Sequence, residues 1–301
     1  MSSRSVNIIL GLFLISSFAW GCAKTTEVRP QPQAQNKEKA LSPEEQKKKD
    51  AAEKYFTSGL IDMNHGNLDA AAKNFQAALT LEPESYNTRL YLADVYEKKH
   101  NNTLALDQYD KMMKLNPKDP RAYNGAIGAY LNMGLLKQAV GLKKDIEKNG
   151  VKPEAVAASL GWAFYLAGDL GEARKNYELL KGKGSDTLAI NNLGLISFSE
   201  GKYAEALGDF KEADKKNPNS IVAPYFVALT EMKLGHEDEA LKALKEALKR
   251  DPKLEDKADG YNTQFFLNTD PGDLSPLFAK IKAEQEKEKP APPSKPAEGA
   301  K

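Results

Sequence analysis

Few side chains in this 301-residue sequence have the type and spacing that chemistry requires. A metal site needs ligands at short, regular separations, yet His65, His100 and His236 lie far apart, each near what reads as a turn, with no partner at such spacing. No HExxH, paired-cysteine, P-loop or strand-linked GxGxxG pattern is found. Carboxylates are plentiful but interspersed with lysines along apparent helix faces, the pattern of a solvated surface and not of a positioned acid and base. The sequence therefore predicts a protein that is not an enzyme, uses no cofactor and binds no metal. The single cysteine, Cys22, cannot form an internal disulfide, so its position after Gly21 at the end of an apolar run has to account for it.

Function then rests on binding, and composition narrows the partner. Lys and Arg number 43 against 42 Asp and Glu; Arg4 is the only charge before Cys22, so a chain starting there carries 42 of each. Such balance offers no basic field for a nucleic acid, and none is expected as a partner.

The elements that would position a binding surface follow from an internal period. Ala71, Ala105, Ala139, Ala173, Ala206 and Ala240 recur at steps of 34, 34, 34, 33 and 34 residues, and Pro83, Pro117, Pro218 and Pro252 keep the same beat. Small residues sit where two helices of a hairpin approach, and large ones where the next hairpin docks. Tyr55, Gly59, Gly66, Ala71, Phe75, Ala78 and Pro83 set the pattern; Leu193, Gly194, Gly201, Tyr203, Ala206, Phe210, Ala213 and Pro218 repeat it. The third copy (Tyr123, Tyr130, Gly134, Ala139) carries Lys143 where an aromatic is expected, and the fourth ends early in Gly182-Lys183-Gly184-Ser185, so a kink or looser joint is anticipated mid-stack.

These landmarks over residues 52–253 resemble the tetratricopeptide repeat family. The resemblance implies an all-α fold, a right-handed superhelical solenoid of about six helix-turn-helix repeats. Ser275-Pro276, followed by Leu277, Phe278 and Ile281, predicts a C-terminal capping helix to about residue 286. In this family the first helices line a concave groove. Carried over by position, the groove holds Asn87, Tyr91, Asp94, Arg121, Asn124, Ser159, Trp162, Tyr165, Asn191, Asn192, Phe198, Tyr225, Phe226 and Met232. Asparagine amides suit a peptide backbone and the aromatic rings give contact area, so the expected ligand is a protein or peptide segment. The alternative is that some of these rings pack against neighbouring helices or the segment 261–267. The basic clamp with which some relatives grip a terminal carboxylate is absent.

At the amino terminus, residues 1–21 have signal-peptide anatomy, with an apolar stretch from Val6 to Ile15 that is short of the ~20 residues a membrane-spanning helix needs. Ala19-Trp20-Gly21-Cys22 resembles the lipobox of bacterial lipoproteins, which implies acylation of Cys22 and, with Ala23 following, sorting to the outer membrane, facing the periplasm. Residues 22–42, rich in Pro, Gln, Lys and Glu, read as a tether, with order resuming at a Ser42-Pro43-Glu44-Glu45 capping box. Residues 43–286 form the solenoid with its cap, and 287–301 a disordered tail. The whole resembles the pilotin lipoproteins of type IV pilus secretins. It implies an envelope-assembly scaffold whose groove holds envelope proteins or peptides while the lipidated end holds the membrane. The alternative is an accessory lipoprotein of outer-membrane protein insertion or cell-wall synthesis. Whether stacks pair into a homo-oligomer is left open.

Overall fold

The computed structural model describes residues 41–266 and 269–288. The signal segment, Cys22, nearly all of the tether and the tail beyond residue 288 lie outside the described residues. No strand occurs among the described residues, and the chain divides into two compact units that meet at Leu180 and Lys181.

The first helix, α1 (Pro43–Asn64), starts where local chemistry directs. Glu45 N–H donates to Ser42 Oγ at 3.2 Å, Ser42 N–H donates to Glu45 Oε2 at 2.8 Å, and Pro43 fills a position whose amide has no helical partner. In the N-terminal unit α1 pairs with α2 (Leu68–Leu81), and α3 (Tyr86–Lys98) with α4 (Asn102–Leu115). Next come α5 (Pro120–Asn132) and a second helix broken into α6 (Leu136–Gly141) and α7 (Lys143–Lys148), then α8 (Ala157–Leu166) with α9 (Leu170–Glu178). In the C-terminal unit α10 (Asp186–Ser199) pairs with α11 (Tyr203–Lys216), and α12 (Val222–Lys233) with α13 (Glu237–Arg250).

Three of the hairpins close on a contact that leaves no room for a side chain. A Cβ on Gly59 would lie 2.7 Å from the Phe75 ring, and one on Gly194 would lie 2.7 Å from Phe210. The third hairpin has no ring at this position. Lys143 instead pairs with Glu147 at 3.1 Å and Glu172 at 3.2 Å, and the helix breaks beside it at Leu142. The matching first-helix position, Gly or Ala in the other repeats, is Ile127, fully buried, which restores the missing volume. The third repeat thus departs from the others where its sequence departs from the pattern, and the break at Leu142 is local to its second helix.

Two helices, not one, follow Pro252: α14 (Leu254–Phe265) and α15 (Ser275–Glu288). The second is the cap expected from sequence. Leu277, Phe278 and Ile281 are buried, α15 packs on α13, and Lys280 reaches Glu237 at 3.4 Å. The capping bond comes from Asp273, whose Oδ1 accepts from Ser275 N–H at 2.8 Å, and not from Ser275 itself.

Five of the hairpin turns place Gly at positive φ (Gly66, Gly134, Gly168, Gly201 and Gly235), and the remaining turn places His100 there, at φ 55°. An L-residue in this region is strained where glycine is not. His100→Gly is expected to stabilise the protein by about 1 kcal/mol, raising the thermal midpoint by ~2–4 °C in calorimetry.

Candidate functional site

The residues nominated for the groove fall into three environments. In the N-terminal unit, Asn87 and Arg121 are exposed and line an open cavity of about 470 Å³ together with Glu84, Tyr86, Asn116 and Asp119. Arg121 Nη2 donates to Asp119 Oδ2 at 2.7 Å, and its guanidinium sits 5.0 Å from the centroid of the Tyr86 ring. Burial alone would raise the Asp119 carboxyl, but the hydrogen bonds from Arg121 outweigh it and hold the group below the usual carboxylate range. The cation is thus compensated within the chain, and the cavity offers polar groups together with the exposed carboxylate of Glu84.

Other nominees act as braces. Asn124 Nδ2 donates to the Ala155 carbonyl at 2.9 Å and its Oδ1 accepts from Ser159 Oγ at 2.9 Å, tying α5 to the start of the fourth repeat. Half-buried Tyr91 lies between repeats, 6.0 Å from Phe75 and 5.4 Å from Phe56, centroid to centroid. Trp162 stacks on buried Tyr165 at 5.3 Å and is itself half-buried, so one of its faces packs inward.

In the C-terminal unit Asn191 is half-buried, whereas Asn192 is buried and donates to the Leu188 carbonyl of its own helix at 2.8 Å. Phe198, Tyr225 and Phe226 are fully buried. They do not form an open surface: Phe265 and Phe266, at the end of α14, pack on Phe226, and Phe266 also packs on Phe198. Their burial matches the packing alternative already open in the sequence. The sequence left α14 unassigned, although Leu254, Ala258, Tyr261 and Phe265 recur at helical spacing.

Among the described residues no group of three or more His, Cys, Asp or Glu could hold a metal ion, and no helix is long and apolar enough to cross a membrane. The chain's ion pairs serve the fold. Glu231, 2% exposed, lies 2.8 Å from Lys211 Nζ and 2.9 Å from His236 Nδ1.

The tetratricopeptide repeat pattern matches residues 56–120 and 158–221 in one form and 197–259 in another, together more than half of the sequence. The chain belongs to the tetratricopeptide repeat family. Among curated relatives, tetratricopeptide repeat protein 37 of Xenopus laevis is 26% identical over 243 residues, covering 65% of this chain and 15% of that protein. The photosystem I assembly protein Ycf3 of Prochlorococcus marinus is 28% identical over 104 residues, covering 34% of this chain and 55% of that protein. The chain thus spans about half of Ycf3 and far less of the frog protein. PilF of Pseudomonas aeruginosa has a similar solved structure, with a TM-score of 0.55 at 17% identity, covering 79% of this chain and 99% of that one. PilW, described as a widely conserved type IV pilus biogenesis factor, gives a TM-score of 0.55 at 14% identity over 70% of this chain and 96% of that one. At these identities the likeness establishes the fold alone; membership of the tetratricopeptide repeat family is what makes the chain a scaffold for protein–protein interaction.

The three environments predict different costs. Phe226→Ala is expected to destabilise by about 3–5 kcal/mol and Asn87→Ala to stay within ~0.5 kcal/mol in chemical denaturation, while Asn124→Ala, which removes a bracing amide, should cost about 1–2 kcal/mol. Burial alone would raise the Glu231 carboxyl, but its bonds to Lys211 and His236 hold it below the ordinary glutamate range. Its stabilisation is complete above the unfolded value, near ~4.3, and is lost as pH falls through the lower folded value. Glu231→Gln should therefore flatten the acid limb of the stability-versus-pH curve below about pH 4.5, measured by denaturant titration at stepped pH.

Proposed function

We propose that this repeat protein is an outer-membrane lipoprotein that holds envelope proteins or peptides near the membrane, in the biogenesis of a type IV pilus or its secretin. The observation that carries this reading is a conjunction. The only cysteine of the chain stands at position 22, directly after an apolar run and Gly21, ahead of a polar stretch that leads straight into the capped first helix of the repeat array. Acyl chains add about 0.8 kcal/mol per buried CH₂, so multiple acylation at Cys22 would fix a water-soluble repeat body at a lipid surface. The fold shared with PilF and PilW supports the pilus assignment by architecture. In the N-terminal unit, the surface available to a partner includes Asn87 and the cavity beside it, whose polar lining suits main-chain and amide hydrogen bonds.

Labelling with an alkyne analogue of palmitate should mark the wild-type protein and not Cys22→Ser, with the wild type fractionating with outer membrane. Unlabelled wild-type protein would remove the anchor from this reading. Affinity purification from envelope extracts should recover a secretin or pilus component. Recovery of outer-membrane insertion or cell-wall synthesis proteins instead would transfer the scaffold to that assembly.

A further inference from the structure

The C-terminal unit contains a peptide contact of its own. Phe266 is the residue immediately after α14; its N–H donates to the Asn262 carbonyl at 3.0 Å, and the ring is 4% exposed. Its centroid lies 5.3 Å from Phe226 of α12 and 4.9 Å from Phe198 of α10, at interplanar angles of 83° and 60°. Phe265 meets Phe226 at 5.3 Å and 79°. All three contacts are close to edge-to-face, an arrangement that aromatic pairs prefer.

A helix that only continued the stack would rest on the hairpin before it, α12 and α13. Phe266 reaches α10, one hairpin further back, so the end of α14 lies against the side of the unit that carries Phe198 of α10 and Phe226 of α12, where the family register puts the groove. The polar anchors are few. Tyr225 Oη donates to Asn262 Oδ1 at 2.8 Å, and Lys233 Nζ pairs with Asp270 at 2.9 Å, Asp270 being 83% exposed on its side chain. An exposed pair of this kind holds weakly and exchanges readily.

We propose that this face of the C-terminal unit is a docking recess for two adjacent aromatic residues of a peptide, followed after a short spacing by an acidic residue, and that Phe265 and Phe266 of this chain occupy it in cis. An external ligand of that chemistry gains the recess by displacing the chain's own segment. The pilus assignment is not needed for this inference, since the test reads the chain's own segment.

The probe is a fluorescein-labelled peptide of residues 257–270, titrated by anisotropy against the chain from residue 23 onward. The wild type, with its recess filled, is expected to bind it at least tenfold more weakly than Phe266→Ala, which leaves the recess open. Asp270→Lys, altered at an exposed side chain, should bind more tightly than wild type by several fold. A peptide with both phenylalanines changed to Ala should bind neither variant. Equal binding by wild type and by both variants, with unchanged helical circular dichroism, overturns the proposal, as does equal binding of the alanine peptide. If Phe266→Ala does not fold, Asp270→Lys decides alone: tighter binding supports the recess, and binding equal to wild type overturns it.

Discussion

In three of the hairpins, a ring on the second helix lies against a residue of the first that has no side chain to put in its way. Gly59 under Phe75, Gly161 under Tyr177 and Gly194 under Phe210 leave 2.7–3.0 Å between an imagined Cβ and the ring, less than any ordinary contact. The ring thus packs directly on the backbone of the first helix, and the inner faces bury fully, with Ala71, Phe75, Ala206 and Phe210 at zero exposure. A single hairpin made this way still has an apolar outer side, which only another hairpin can cover. The near-constant period of the sequence follows from that requirement.

The same close packing decides what the first helices can offer a partner. Polar residues at positions where an open groove would leave them free are drawn into bracing neighbouring elements. Asn124 spends its carbonyl and one amide proton on Ser159 and Ala155, and Arg121 spends its charge on Asp119. The family register places a residue on a face, but burial depends on what the next element does there, and that element is non-local. Asn87 stays exposed because the hollow beside it is open, whereas Tyr225 is covered because α14 lies against it.

What was legible in the sequence was whatever obeys a local rule. The capping box at Ser42, the glycine turns and the repeat period depend on neighbours within a few residues or on a fixed step, and the structure has them where the sequence puts them. The helix break at Leu142 was legible as a weak third repeat because Lys143 departs from the pattern at one position. The compensating Ile127 could not be recognised without knowing which two positions face each other. Helix α14 escaped for a different reason. Its connection is longer than the tight glycine turns of the other hairpins, so the alanine and proline landmarks that align the six repeats do not continue into it, although its apolar stripe of Leu254, Ala258 and Tyr261 is as regular as theirs.

The electrostatics narrow the kind of recognition open to such a body. Basic and acidic residues are balanced, and several ion pairs are exposed ones between helix neighbours, such as Lys98–Asp94 and Lys111–Asp107, which contribute little to stability and are screened by salt. The better-buried pairs are internal to the fold: Arg250 with Asp214 and the Ser220 carbonyl, and Glu231 with Lys211 and His236. The balanced composition leaves no net field to draw in a ligand from a distance, and Glu231, the best-buried carboxylate of these pairs, is compensated inside the fold. Selectivity in this chain must then come from shape and from short-range contacts, and its aromatic rings are the groups most able to supply both, because a ring gives large contact area with only two torsions to fix. Since the largest cluster of such rings, around Phe226, is already satisfied within the chain, access to it is governed by competition between a tethered segment and a free one. The tethered segment has the advantage of effective concentration, so an outside partner must match its chemistry and add contacts beyond it.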